Sequence, residues 1–265
     1  MADWFPVALI VVAYLVLHQL ADSLTPGAHV QPQLGFDEWV FGGTAPTVRL
    51  QRALWHPADP SWYDYLATLV YLSHFVVSLT VGIVLWFRAY PLFRRFRVLF
   101  LTVTFAGFVT YVVYPAIPPW MASRRHDMPH AVRIGRAMWL ELGLTDVAAV
   151  FGEKSKYAFP VGALPSLHAA WPFLLLVFFW PIAGRWRAVL VAYALAMAFT
   201  LVYTGDHFVF DVLLGWTYVI VAVVAVRIAR TRRAKTRGAS EARSPGSERR
   251  LAADDRIVRR PPDVG

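Results

Sequence analysis

The sequence predicts an all-α, polytopic membrane protein folded as a six-transmembrane-helix bundle. Three observations lead to this fold class. First, 57% of the 265 residues are hydrophobic and only 16% are charged, whereas roughly 25% of an average soluble domain is charged. Second, the mean hydropathy is +0.47, and the apolar residues form uncharged runs close to the ~20 residues that cross a bilayer. Third, arginines without acidic partners gather in the links between alternate pairs of runs.

Six apolar runs are counted as spans. The first resembles a signal peptide, but it lacks a basic leading region and a small-residue cleavage site, so we expect a retained span. The fourth contains Pro172 and Pro181, which a membrane helix tolerates where neighbours bond the freed carbonyls. The six predicted spans are residues 5–21, 66–87, 98–117, 166–184, 188–203 and 208–226.

The positions of the arginines predict the orientation. The link between spans two and three and the link between spans four and five carry arginine without any acid, and a basic segment follows span six. Short basic loops favour the cytoplasmic side. Both termini are therefore expected in the cytoplasm. The connections 22–65, 118–165 and 204–207 are expected outside it.

Charge and composition bound the compartment and the partners. The net charge is +9, but residues 231–265 alone hold 10 Lys and Arg against 5 Asp and Glu. These residues are predicted to be a disordered, basic cytoplasmic tail behind a membrane catalytic domain at 1–230, and no nucleic-acid partner is indicated. The chain has 23 arginines against 3 lysines, a usage that suggests a bacterium, so a plasma membrane protein is expected. It has no cysteine, so no disulfide framework is expected and the redox compartment is left open.

His207 and Asp211 stand four residues apart at the start of the last span. This spacing places both side chains on one face of a helix. A carboxylate beside one ring nitrogen fixes the tautomer of an imidazole and makes the other nitrogen more basic. The alternative is that Asp211 only caps the first turn, but an ionisable residue inside an apolar span favours a functional role. The pair therefore predicts an activated histidine, acting as nucleophile or base.

The segment Pro165-Ser166-Leu167-His168 opens the fourth span. Proline suits the first helical turn, and Ser166 suits the N-cap position. Free backbone N–H groups at a helix start attract anions, with help from the helix dipole. Ser166 and His168 are thus either phosphate contacts or an ordinary cap followed by an interfacial histidine.

Both segments lie at the same end of their spans, so His168 and His207 are expected to face one pocket. Together with Tyr114-Pro115-Ala116-Ile117-Pro118-Pro119, they resemble the type 2 phosphatidic acid phosphatase superfamily of six-helix lipid phosphatases and phosphotransferases. The resemblance covers roughly residues 60–226. The form Ser-Leu-His-Ala and the absence of arginine from the last segment are similar to the branch that contains inositol phosphorylceramide synthases.

The resemblance implies a role for each matched residue. His207 would attack phosphorus and become a phosphohistidine, and Asp211 would orient it. His168 would protonate the leaving oxygen, and Ser166 would contact the phosphate. No metal ion or cofactor is implied. The implied partners are the membrane, a lipid phosphoester substrate and, as acceptor in place of water, a polyol such as inositol.

The chain departs from the family pattern where the phosphate is usually clamped. Thr200 and Leu201 occupy the positions of the Ser-Arg pair that usually precedes the nucleophile. Because the charge of the transferring group must be neutralised, other cations are expected to replace the arginine. The nearest candidates in the outer loop are Arg124, Arg125, Lys154 and Lys156.

These observations favour a membrane phosphotransferase that acts on lipid-linked phosphoesters at the extracytoplasmic face. A plain lipid phosphatase that releases inorganic phosphate is the close alternative. Of other classes, a proton-coupled transporter would use Asp211, His207 and His168 as a relay, but Asp211 is the one charge predicted inside a span. A haem-binding bundle with paired histidines explains neither Ser166 nor the His-x-x-x-Asp spacing. Segment 36–65 is expected to be a surface amphipathic helix, with a lid over the substrate as the alternative.

Overall fold

The protein is all-α in a computed structural model that describes residues 4–150 and 161–242. Within these residues, the β-structure is limited to isolated backbone bridges. Two compact units are distinguished, Met1–Ala222 and Val223–Gly265, and all the site residues discussed below belong to the first. Lys154 and Lys156 lie outside the described residues.

Eleven α-helices are found in the described residues, with short 3-10 helices at Thr25–Gly27 and Gly184–Trp186. The helices are α1 Phe5–Leu24, α2 Gln33–Val40, α3 Pro46–Leu54, α4 Trp62–Arg88, α5 Tyr90–Val113, α6 Pro119–Arg124, α7 Ile134–Glu141, α8 Thr145–Val150, α9 Leu167–Phe179, α10 Arg187–Tyr203 and α11 Val209–Ala242.

Three described helical segments are long and apolar enough to cross a membrane, Tyr90–Val113, Gly184–Tyr203 and Val209–Arg233. Helix α4 adds a fourth if its two halves, which meet at 42°, count as one span. The first and fourth predicted spans hold only shorter apolar helices within the described residues, of 10–17 residues. The all-α membrane class is therefore confirmed, and the six-span count stays a prediction.

Prolines and helix formers set the helix ends. Helix α5 ends at Val113, before the predicted boundary at 117, because Pro115 disfavours a helical conformation at the residue before it. Helix α9 ends at Phe179, ahead of Pro181. Helix α11 continues to Ala242, so residues 231–242 of the expected disordered tail are helical, in keeping with their alanine and arginine content. Residues 243–265 lie outside the described part of the chain.

A capping box links the start of α4 to the end of α10. Ser61 precedes α4, and its backbone N–H donates to Asp64 Oδ2 at 2.8 Å. The other oxygen of Asp64 accepts a hydrogen bond from the Tyr203 hydroxyl. Since Asp64 is fully buried, both acceptor oxygens are satisfied inside the protein, as buried polar groups require. The end of α10, which leads to His207, is thereby fixed.

The segment between α1 and α4 packs against the start of α11. Leu34 of α2 and Val48 of α3 belong to a buried cluster that also contains Ile117, Val161 and Phe208. On the opposite face of α2, Trp39 is 81% exposed. The expectation of a surface helix therefore fits only the outer face of α2. The other face is part of the core beside His207.

Candidate active site

The two histidines predicted to share a pocket lie next to each other. His168 is the second residue of α9, and His207 stands just before α11. Their ring centroids are 5.6 Å apart. His207 is 4% exposed. The Ser166 N–H donates to the Asp211 carbonyl, so α9 and α11 start side by side and bring the two rings together.

The backbone fixes the protonation of the His207 ring. Nδ1 lies 3.0 Å from the carbonyl oxygen of Ala163. A carbonyl only accepts hydrogen bonds, so Nδ1 carries the proton and Nε2 keeps its lone pair. Burial lowers the pKa of His207 to about 4, which keeps the ring neutral near pH 7. The ring is therefore in the form that attacks an electrophile.

Asp211 lies beside both His207 and the start of α11. It is fully buried, and its Oδ2 lies 3.5 Å from His207 Nδ1. The same oxygen accepts from the Phe208 N–H at 2.9 Å. The helix-cap contact of this residue is therefore present, and its role as the orienting group stays a prediction. The Ala163 carbonyl is the nearer partner of His207 Nδ1.

The Tyr-Pro segment before α6 builds the platform that carries Ala163. Ala116 donates its N–H to the Val161 carbonyl at 2.9 Å and accepts from the Ala163 N–H at 3.1 Å. On the other edge of the segment, the Pro115 carbonyl accepts from the His29 N–H at 2.8 Å, and the Ile117 N–H donates to the His29 carbonyl at 2.9 Å. The segment therefore lies between two extended stretches, and it places the carbonyl that sets the tautomer of His207.

Ser166 occupies the contact between α9 and α11. Its Oγ accepts from the Ala169 N–H at 3.2 Å, as an N-cap does. Its N–H donates to the Asp211 carbonyl at 3.0 Å. A Cβ atom at Gly215 would lie 2.4 Å from the Ser166 carbonyl oxygen, so only glycine permits this approach. The N-cap prediction is confirmed, and the contact of Ser166 with phosphate stays a prediction.

His74 is a third histidine at the site, and its spacing in the sequence gave no indication of this. It is buried in α4, with its ring centroid 4.2 Å from that of His168 and 4.3 Å from the ring of Trp171. Its ring also makes a hydrogen bond with the backbone of His168. Pro172, four residues after His168, has no N–H to bond the His168 carbonyl. The proline is therefore the sequence signal that a side chain from another helix should be found here.

Arg133 is a partly buried cation near the two histidines, and it was not among the predicted phosphate ligands. Its Nε donates to Asp206 Oδ1 at 2.9 Å, and its side chain is 12% exposed. Burial opposes its charge, but Asp206 and Tyr71 outweigh burial, so the pKa of Arg133 is raised above its ordinary value. Its positive charge acts on His207 and His168. Arg133 is thus held charged beside the pocket.

The predicted cations Arg124 and Arg125 lie on the surface. The Arg124 guanidinium lies 5.5 Å from the centre of the Trp120 ring. Arg125 donates to the Ala28 carbonyl at 3.0 Å and pairs with Asp127 at 3.3 Å. Both arginines are therefore engaged by other groups, and their role as phosphate ligands stays a prediction. At the position where the family usually has arginine, Leu201 is fully buried in the core.

This geometry agrees with the match of the chain to known families. A family model described as the PAP2 superfamily matches residues 46–225, which is more than half of the chain and includes both histidines. The chain belongs to the PAP2 superfamily. The resemblance drawn from the two histidine segments is thereby confirmed, and the matched PAP2 region begins at the first residue of α3.

Two curated relatives are similar to this PAP2 protein. The first is the phosphoinositol dihydroceramide synthase of Bacteroides thetaiotaomicron, 32% identical over 162 residues, which are 57% of this chain and 52% of that protein. The second is the inositol phosphorylceramide synthase catalytic subunit aur1 of Schizosaccharomyces pombe, 26% identical over 172 residues, which are 62% and 39% of the two chains. The matched region thus spans about half of the first relative and two fifths of the second. No solved structure matches the chain.

Proposed function

We propose that this PAP2 protein is a membrane phosphotransferase that acts on a lipid-linked phosphoester through a phosphohistidine at His207. The observation that carries the proposal is the neutral His207 ring, with its proton held on Nδ1 by Ala163, 5.6 Å from the ring of His168. A nucleophile and a proton donor on two sides of one phosphorus atom are what in-line phosphoryl transfer requires. The basic links between spans favour an extracytoplasmic site.

The reaction takes two steps that mirror each other. In the first, the Nε2 lone pair of His207 forms a bond to phosphorus while the bond from phosphorus to the leaving oxygen breaks, and His168 gives that oxygen a proton. In the second, His168 takes the proton of the incoming hydroxyl while its oxygen bonds to phosphorus and the bond to Nε2 breaks. The protein then returns to its starting state, and no further cofactor enters the proton balance.

Arg133 is proposed to neutralise the transferring group in both steps. Its Nε donates to Asp206 Oδ1 at 2.9 Å, and Tyr71 also makes a hydrogen bond to it, so its charge is held in place beside the histidines. Asp206 directly precedes His207 in the chain, so the cation and the nucleophile are placed by the same turn. Arg133 would thus supply the positive charge of the usual family arginine, whose position in this sequence is occupied by Leu201.

The names of the two relatives indicate the group that is transferred. Both names combine inositol, phosphate and a ceramide. We therefore propose a lipid substrate that carries inositol through a phosphodiester, with an alcohol as the acceptor. The alternatives are a free polyol such as inositol as the acceptor, and water, which would make the protein a phosphatase.

A panel of donors and acceptors tests this function. Purified protein is given phosphatidylinositol or phosphatidic acid as donor, each alone, with a ceramide, or with free inositol. We expect a new phosphoinositol lipid from phosphatidylinositol with ceramide, blocked by vanadate, which mimics phosphate. Release of inorganic phosphate from phosphatidic acid alone would instead identify a phosphatase. The absence of product from every donor would refute phosphoester chemistry.

Replacing Arg133 with lysine is expected to lower turnover about 10²-fold, because lysine keeps the charge but cannot bind Asp206 and phosphate oxygens together. Arg136→Lys is the matched control, since Arg136 is an exposed arginine one turn further along α7. Initial rates with saturating donor measure both variants. Equal rates for the two variants would exclude Arg133 as the phosphate cation.

A further inference from the structure

The start of α11 is held by a carboxylate from outside the matched PAP2 region. Asp37 of α2 is fully buried. Its Oδ2 accepts from the Val209 N–H at 3.0 Å, and its Oδ1 accepts from the Phe210 N–H at 3.1 Å. These are the first two residues of α11, whose N–H groups have no partner inside the helix. Asp37 therefore caps the nucleophile helix from a segment 172 residues away.

Apolar contacts keep the capping helix in place. The Phe36 ring packs against the Phe210 ring with centroids 5.2 Å apart. Leu34 and Phe208 share one buried cluster. These contacts hold the residues that follow His207. The backbone of His207 itself is held by its N–H, which donates to the Leu201 carbonyl at 3.1 Å. Asp37 is the charged part of a contact that covers the three residues after the nucleophile.

A buried carboxylate is costly for the protein, and this one is close to another. Burial raises the pKa of Asp37 to about 6; the two N–H donors lower it and Asp211 raises it. Hydrogen bonds to an ionised group are stronger than those to a neutral group. The cap is therefore strong when Asp37 is ionised, above about pH 6, and weaker once the carboxyl is protonated.

We infer that Asp37 is a positioning residue for the transfer reaction, which holds the start of α11 so that His207 stays against Ala163 and opposite His168. The inference rests on the proposed function. A displacement of 1 Å at a catalytic group costs about 10²-fold in rate. The buried face of α2, which precedes the matched PAP2 region, thereby helps to position the nucleophile.

Asp37→Ala and Asp37→Asn test the inference, with Glu38→Gln as the control that removes the neighbouring carboxylate of the same helix. We expect kcat to fall about 10²-fold for Ala and about tenfold for Asn, which keeps one acceptor oxygen. KM is expected to stay within about twofold, because Asp37 is fully buried against the backbone of α11. Should the alanine variant fail to fold, the asparagine variant alone decides.

The pH profile supplies a second readout. In the wild type, kcat is expected to fall as pH is lowered through about 6, where Asp37 gains its proton. This acid limb should be missing from Asp37→Asn. The charged or titratable groups on the elements packed with α2 include Asp211 and His207 at α11, Arg49 and Arg52 of α3, Arg124 of α6, and the Arg125–Asp127 pair after it. His207 titrates near 4, below the limb assigned to Asp37.

Two results would overturn the inference while the proposed function stands. One is a kcat for Asp37→Asn equal to that of Glu38→Gln, and the other is a loss confined to KM. A wild type that turns over no more substrate than His207→Ala would refute the proposed function itself, and the inference with it. The His207→Ala arm therefore separates the two failures.

Discussion

Alanine in place of His207 is expected to lower phosphoester turnover by at least about 10³-fold, because the nucleophile itself is removed. The Ala163 carbonyl holds the proton on Nδ1, so the lone pair of the ring is on Nε2, and the ring lies 5.6 Å from that of His168. His56→Ala is the control, since His56 is an exposed histidine in the link between α3 and α4. Rates with a natural lipid donor measure the effect.

His168→Ala separates the two histidine roles. Its turnover of a natural lipid is expected to fall as far as that of His207→Ala, since the leaving alcohol needs a proton. With a nitrophenyl phosphoester, whose leaving group departs without a proton, His168→Ala should recover the first step, seen as a burst of about one nitrophenol per protein, and His207→Ala should not. Recovery by both variants, or by neither, would contradict the assignment of nucleophile and acid.

Gly215→Ala is expected to cause the second large loss, although it changes no group that touches the substrate. Alanine normally favours a helix over glycine by about 1 kcal/mol, so a free site would be stabilised. Here the new Cβ would lie 2.4 Å from the Ser166 carbonyl oxygen, and α9 must move away from α11. We expect turnover to fall about 10²-fold together with a lower Tm.

Gly82→Ala is the matched control for that change. A Cβ at Gly82 of α4 would meet its nearest neighbour, the Phe96 ring, at 3.9 Å, which is ordinary contact. This variant should keep wild-type turnover. Thermal unfolding in detergent and initial rates are measured on both glycine variants. Wild-type turnover in Gly215→Ala would show that the separation of His168 and His207 does not depend on this contact.

The sequence predicted the parts of the site that follow from spacing along one helix. His207 and Asp211 are one helical turn apart, and Ser166 and His168 open a span, so their placement needed only helix geometry. The fold class followed from composition. The bounds of the spans were less certain, because Pro115 and Pro181 end their helices early, and 231–242 continues α11.

Residues brought in from elsewhere could not be predicted in this way. Arg133 reaches the pocket from an irregular loop, 73 residues before its partner Asp206. His74 comes from the middle of α4, and Asp37 from a segment that composition marks only as amphipathic. Each contact is made by packing between distant parts of the chain, so the local hydrophobic periodicity does not predict it. Pro172 was the one sequence feature that pointed to such a partner.

Direct detection of a phosphorylated histidine tests the central claim most closely. The wild type is mixed briefly with a phosphorus-labelled lipid donor, quenched in alkali, in which phosphohistidine survives, and mapped by mass spectrometry. The account predicts label on the peptide that contains His207, and none in His207→Ala. Turnover by the wild type without label on His207, or with label on another residue, would contradict it.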